Sequence, residues 1–257
     1  MKVTKMHGAR NDFVIVDRRS DGRAGLVRFA KWACDRRAGI GADGVIAIEP
    51  STVADARMRT INADGSEAEM CGNGIRCAAR WLDEAGEGGS VTFETEAGLI
   101  STEIVSRGAE YAVRVAMGQP RITPSVEGWF VELGNPHVVL VRSSVEGVDL
   151  ESIAKEFQKD SRFPDGTNVH VVALEGRRAI RVAHWERGVG LTMACGTGAV
   201  ACAAVAIANG TATSPIEVLV PGGRLVVEWD GTGNAYLTGP AVRVFDTEVE
   251  LDDELAP

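Results

Sequence analysis

Hydrophobic and polar positions along the chain switch repeatedly between a period of two and a period near 3.6. The run at 13–16 (FVIV) predicts a strand, and 26–38 predicts a helix with Phe29, Ala30, Ala33 and Cys34 on one face. Positions 45–48 (VIAI) and the alternating 57–62 (RMRTIN) predict two further strands, the second leading into an Asn62-Ala-Asp-Gly-Ser-Glu turn. A helix opening at Cys71 and ending near Ala85 follows, then strands at 91–96, 98–105 and 111–117. The proline-flanked segment 120–124 interrupts the pattern and is a candidate boundary. Beyond it the layout partly recurs. Strands at 129–133 and 138–141 precede a helix at 150–159, and strands at 168–173 and 180–185 lead to a Glu186-Arg-Gly-Val-Gly turn. A second helix opens at Cys195, and strands at 216–220, 224–229, 235–238 and 241–245 close the series.

This order predicts an α+β fold of two pseudo-symmetric halves, each of antiparallel strands wrapped around one central helix, rather than a succession of βαβ units. The halves are 1–117, carrying Cys71, and 118–240, carrying Cys195. The repeat is faint in sequence. The sixteen residues from each cysteine, CGNGIRCAARWLDEAG and CGTGAVACAAVAIANG, share five identical positions.

Composition narrows the function classes without choosing one. A chain of 257 residues with 45% hydrophobic and 25% charged content has ample material for two modest domains. The formal net charge of -9 argues against general binding to nucleic acid or an anionic membrane. The apolar run 199–208 is far too short to span a bilayer, and MKVTKMHGARNDF lacks the apolar stretch of a signal peptide. Five cysteines, an odd number at low density, read as reduced thiols, so a cytoplasmic location is expected.

Several motifs reduce to structural readings. Gly39-Ile-Gly-Ala-Asp-Gly44 fits G-x-G-x-x-G, but a predicted helix precedes it and a strand follows, the reverse of a dinucleotide site. The histidines at 7, 137, 170 and 184 lack metal-ligand spacing, and Cys71 and Cys77 are too far apart for a zinc or thioredoxin pair. No metal or cofactor is expected. Cys34, Cys77 and Cys202 read as buried small hydrophobes. Cys71 and Cys195 stand apart because each is followed by Gly-x-Gly at a helix start: Gly72-Asn73-Gly74 and Gly196-Thr197-Gly198. A thiol there lies in the positive end of the helix dipole, and the glycines leave backbone N–H groups open to a carboxylate or oxyanion. Two glycine-rich helix starts with filler cysteines would look the same. A pair of thiols facing one carbon from opposite sides is the sharper reading. Asn11-Asp12, Asn62, Asn135-Pro136-His137, Asn168 and Glu186-Arg187 lie at strand ends or turns, where binding groups gather, and Arg187 could pair bidentately with a carboxylate.

Taken together these segments resemble diaminopimelate epimerase. His7-Gly-x-x-Asn11-Asp12-Phe13, Arg36-Arg37-x-Gly39-Ile-Gly-Ala-Asp-Gly44, Asn62-Ala-Asp-Gly-Ser-Glu67 and Met70-Cys-Gly-Asn-Gly-Ile-Arg76 carry the likeness in the first half. Gly134-Asn-Pro-His137, Trp185-Glu-Arg-Gly-Val-Gly190, Ala194-Cys-Gly-Thr-Gly198 and Leu237-Thr-Gly-Pro240 carry it in the second. The resemblance implies interconversion of LL- and meso-2,6-diaminopimelate without a cofactor, on the route to lysine and peptidoglycan precursors, with the strand segment 241–257 returning to the first half. It implies Cys71 and Cys195 as the acid/base pair. Asn11, Asn62, Asn168 and Arg187 would grip the substrate, Gly72-Asn73 and Gly196-Thr197 would hold its α-carboxylate, and His137 and Glu186 would sit beside the thiols. Asn135 and Gly44 would support the pocket, and a homodimer is compatible with the family. The chain departs from the family at Ala9-Arg10, where Leu-Gly is usual, at Leu191, often glutamate, and at Gly44, where some members carry glutamine. Two rivals stay open: a racemase of the same fold acting on a proline-type ring, and a thiol switch in which Cys71 and Cys195 form a disulfide.

Overall fold

The computed structural model describes residues 1–20 and 25–250. The chain divides into two compact units, residues 1–115 with 240–257 and residues 116–239. The last part of the 241–257 segment, 251–257, lies outside the described residues.

Unit 1 begins with the hairpin β1 (Lys2–Gly8) and β2 (Asn11–Asp17), and α1 (Leu26–Cys34) crosses over to β3 (Gly44–Glu49), which lies parallel to β2. Next, β4 (Ala56–Asn62) runs antiparallel to β3, and a two-residue β5 (Glu67–Ala68) folds back on β4. The helix α2 (Gly72–Glu84) then returns the chain to β6 (Ser90–Thr95), parallel to β4, and β7 (Gly98–Ser106) and β8 (Ala112–Gly118) continue antiparallel.

Unit 2 repeats this plan. The strands β9 (Arg121–Pro124) and β10 (Trp129–Glu132) lead to β11 (Pro136–Val141), and α3 (Leu150–Phe157) crosses over to a parallel β12 (Asn168–Leu174). Antiparallel β13 (Ala179–Glu186) and the short β14 (Gly190–Thr192) precede α4 (Gly196–Ala208). Then β15 (Ile216–Val220) lies parallel to β13, and β16 (Gly223–Glu228) and β17 (Ala235–Pro240) follow antiparallel. The final β18 (Val242–Glu248) pairs with β1 of unit 1 just as β9 pairs with β10 in unit 2. The repeat that five identities only hinted at is therefore a repeat of topology. The class is α+β, but the sheets are mixed rather than antiparallel, because α1, α2, α3 and α4 each join two parallel strands.

Sequence and burial explain the central helices. Nearly all of α2 from Gly72 to Leu82, and α4 from Gly198 to Ala206, is buried, and small residues let strands close around both. The predicted helix at 26–38 stops four residues early. Asp35 takes an extended ψ of 118°, and its Oδ1 accepts from Arg37 N at 2.7 Å and Ala38 N at 2.8 Å, which offers the backbone a turn in place of another helical bond. The candidate boundary segment 120–124 contains strand β9. The strand β1 escapes a pattern search because Lys5 sits within it. That lysine is buried against Asp12 at 2.7 Å, so a charge occupies what is energetically a core position. Among the described residues, no helix is long and apolar enough to cross a membrane.

Candidate functional site

In unit 1 the register aligns Phe13, Gly44 and Asn62 across β2, β3 and β4, so Asn11, Gly44, Asn62 and Cys71 gather at one end of the sheet. Cys71 is the N-cap of α2. Its backbone is extended (φ −126°, ψ 107°) and its Sγ accepts from Gly74 N at 3.4 Å, replacing the usual serine or aspartate oxygen. The thiol also donates to Asn11 Oδ1 at 3.7 Å, which accepts from Asn73 Nδ2 at 3.2 Å as well. The other end of the Asn11 amide donates to Asp43 Oδ2 at 2.8 Å, and that carboxylate accepts from Arg36 at 2.8 Å. Asn11 is therefore oriented before any ligand arrives. Behind the turn lies Arg76, fully buried, donating to Gly72 O at 2.7 Å and Asn73 Oδ1 at 2.9 Å. Burial lowers its pKa to about 10.

The close packing here uses glycine. A Cβ on Gly8 would lie 2.7 Å from Asn73 O, and one on Gly74 would lie 2.9 Å from Ile46 Cδ1. A Cβ on Gly44 would lie 2.9 Å from Ile61 O, so this position serves backbone approach and brings no side chain to the site. The Asn62 amide donates to Ser66 Oγ at 2.9 Å within its own turn. Ala9 and Arg10 form the two-residue β1–β2 turn with φ of 51° and 66°, the left-handed region that the more usual Gly adopts without strain, and the Arg10 side chain is exposed.

Unit 2 builds the counterpart. Cys195 caps α4 with φ −118° and ψ 118°, its Sγ accepting from Gly198 N at 3.4 Å and lying 3.6 Å from Thr197 Oγ1. Burial pushes this thiol well above its ordinary pKa, and the neighbouring Glu186 carboxylate pushes the same way, against the bonds from Thr197 and Gly198. Asn168 is buried with both ends of its amide engaged: Nδ2 donates to Pro136 O at 3.1 Å and Oδ1 accepts from Arg187 N at 3.0 Å. The exposed Arg187 guanidinium donates to Asp165 O at 3.1 Å. His137 is fully buried between Asn135 Oδ1, 2.7 Å from its Nε2, and His170 Nε2, 2.9 Å from its Nδ1. Leu191 lies exposed on β14, on the far side of the Glu186–Gly190 turn.

The predicted residues divide between the units: Asn11, Gly44, Asn62 and Cys71 to Asn73 lie in unit 1, and Asn135, His137, Asn168, Glu186, Arg187 and Cys195 to Thr197 lie in unit 2. Cys34, Cys77 and Cys202 are buried, and burial pushes Cys34 up to about 11 and Cys77 up to about 12. None of the five cysteines forms a disulfide. Among the described residues, no group of three or more His, Cys, Asp or Glu is arranged to hold a metal. Sequence reasoning missed Asp43, Arg76, His170 and His184. Asp43 could have been suspected, since it lies beside Gly44 at the strand end that faces Asn11. The two histidines carry no local signal, because only the register of β11, β12 and β13 brings them together.

The family model for diaminopimelate epimerase matches residues 3–123 and 129–244. A diaminopimelate epimerase of Desulfitobacterium hafniense is 38% identical over 284 residues, covering 100% of both chains. Among solved structures, a phenazine biosynthesis protein of the PhzF family from Bacillus anthracis superposes with a TM-score of 0.78 at 19% identity, covering 98% of this chain and 99% of its own. A hydroxyproline epimerase from Agrobacterium vitis, with bound trans-4-OH-L-proline, gives 0.72 at 15%, covering 100% and 92%. Those two share the fold.

Proposed function

This chain belongs to the diaminopimelate epimerase family, and we propose that it interconverts LL- and meso-2,6-diaminopimelate, without a cofactor, using Cys71 and Cys195 as base and acid. The observation that carries the reading is the duplicate thiol turn: two topologically equivalent units each place a cysteine at the N-cap of a buried helix, with a glycine N–H on its sulfur. Inverting a stereocentre needs a base on one face and an acid on the other. One thiolate takes the α-proton, the electron pair delocalises into the α-carboxylate, and the opposite thiol returns a proton to the other face. The starting thiol has become the thiolate, so the pair is poised for the reverse passage. Burial and Glu186 favour the protonated form of Cys195, which suits it to begin as the acid.

The α-proton is a far weaker acid than a thiol, so stabilising the developing negative charge is the larger task. The open N–H groups of Gly72-Asn73 and Gly196-Thr197 supply it, and a single such donor elsewhere is worth about 3–4 kcal/mol. Asn11, Asn62, Asn168 and Arg187 take the distal amino-acid end, Glu186 and His137 tune the Cys195 side, and Gly44 and Asn135 shape the approach. A second charged amino-acid end on the substrate accounts for this polar complement better than a proline-type ring. The setting is lysine and peptidoglycan-precursor synthesis in the cytoplasm. Incubation with LL-diaminopimelate or L-proline separates the readings. Formation of the meso isomer alone is expected, and turnover of proline alone would overturn the substrate assignment. Activity that appears only after oxidation would favour the thiol switch.

A further inference from the structure

The buried imidazoles of unit 2 form a file that the proposed chemistry does not use directly. Asn135 Oδ1 meets His137 Nε2 at 2.7 Å, His137 Nδ1 meets His170 Nε2 at 2.9 Å, and His170 Nδ1 meets His184 Nδ1 at 2.9 Å. All three rings are at most 1% exposed. An amide oxygen can only accept, so His137 carries its proton on Nε2 and accepts at Nδ1. His170 must then donate from Nε2 and accept at Nδ1, and His184 must donate from Nδ1. One asparagine fixes three tautomers in sequence. The file ends at His184 Nε2, buried without a partner among the described residues, and Thr192, its cross-strand neighbour, has an equally unpartnered Oγ1.

The middle ring lies under the thiol turn. A Cβ on Gly198 would fall 2.5 Å from His170 Cε1, 2.7 Å from Nε2 and 3.0 Å from Nδ1, and it is Gly198 N that donates to Cys195 Sγ. Unit 1 provides an internal control. Its register equivalents of His137, His170 and His184 are Phe13, Ile46 and Thr60, and Gly74 rests on Ile46 and Phe13. An aliphatic side chain therefore suffices to fill the space under such a turn. The turn of unit 1 is pinned instead by polar bonds from Arg76 to Gly72 O and Asn73 Oδ1 and from Asn73 to Asn11. The corresponding positions on α4 are Thr197 and Val200, which bring no guanidinium and no amide.

We propose that His170 is a positioning residue for Cys195: held in one orientation by Asn135, His137 and His184, its ring fixes the Gly198 turn and thereby the N–H that meets the sulfur. The inference rests on Cys195 being an acid/base group of the reaction. The charged groups nearest this arrangement are Glu186, bonded to Cys195, and Arg187, whose charge adds to burial in lowering His137. Burial likewise lowers His170 and His184, so the file stays neutral and its order intact near neutral pH.

The test compares His170→Phe and His170→Gln in the full chain. Two measurements are made: the pH profile of Cys195 alkylation by iodoacetamide, followed on the Cys195 peptide by mass spectrometry, and kcat and KM for LL-diaminopimelate. Phenylalanine keeps a ring and loses the bonds, so the alkylation profile should move to higher pH and kcat fall about tenfold, with KM nearly unchanged. Glutamine can donate and accept, and should recover much of both. A Phe variant whose melting temperature falls while profile and kcat stay at wild-type values would overturn the proposal, as would a Gln variant as impaired as Phe. If the wild type does not epimerise diaminopimelate, the proposed function fails, and the alkylation profile still tests His170. If His170→Phe does not fold, ¹⁵N-histidine NMR of the wild type decides. Nε2–H at His137 and His170 and Nδ1–H at His184, unchanged from about pH 6 to 8, are expected. Another tautomer order, or a His170 that titrates in that range, would overturn it.

Discussion

Unit 2 should lose stability on mild acidification, and the buried histidine file sets how much. Burial lowers His137 and His184 to about 3, and it lowers His170 in the same direction, against about 6.5 in an unfolded chain. Above that value both states are neutral and pH has no effect through these rings. Below it the unfolded chain takes up protons that the folded chain refuses until pH nears the folded values, so stability falls as pH falls. Between about pH 7.5 and 5.5 each ring removes about 1.4 kcal/mol, and three remove about 4 kcal/mol. That is a large share of the 5–15 kcal/mol typical of a folded domain. Carboxylates such as Asp12, lowered to about 2 by Arg36 and Lys5 against its burial, add their own loss only at lower pH. His7 in unit 1 is lowered too, mainly by burial, but it is only partly buried and adds a smaller part. Urea unfolding at the two pH values, followed by tryptophan fluorescence, measures the drop. His184→Phe should shrink the pH difference by about one ring's share, about 1.4 kcal/mol. Unfolding midpoints that coincide at pH 7.5 and 5.5 would refute the claim that the rings are buried and neutral.

Cys71→Ala and Cys195→Ala should each abolish conversion of LL- to meso-diaminopimelate in a coupled or chromatographic assay, and full turnover by either variant would end the two-thiol account. Asp43→Asn removes the carboxylate that orients the Asn11 amide, at 2.8 Å, and should raise KM about tenfold in steady-state kinetics, the scale of one hydrogen bond to a charged group. Arg10→Gly should raise stability by about 0.5–1 kcal/mol in thermal unfolding, because Arg10 holds a φ of 66° that glycine adopts freely.

Most strands and both thiol helices were legible from periodicity, since alternation and small-residue runs survive wherever one face or a whole helix is buried. The misses have particular causes. Strand β1 carries Lys5 in a buried position, paired with Asp12, so charge hid the strand. Strand β9 follows Pro120 and ends on Pro124, and the two prolines hid its short ladder with β10. The helix after Leu26 stopped at Asp35 because a side chain competed for the backbone. At the site, the two cysteines stood out by the Gly-x-Gly that follows each, whereas the asparagines gained their roles only from the resemblance. Asp43, Arg76, His170 and His184 were not visible, because each acts through contacts that only strand register and helix packing create. The parallel crossovers went unread for the same reason: local pattern gives a strand, not its partner.

The central claim is tested most directly by dissolving LL-diaminopimelate with the protein in deuterated water, with no added cofactor, and following the α-proton by NMR and mass spectrometry. The account predicts deuterium at the α-carbon together with appearance of the meso isomer, both lost in Cys71→Ala and Cys195→Ala. Exchange that persists in both variants, or no exchange in the wild type, would contradict it.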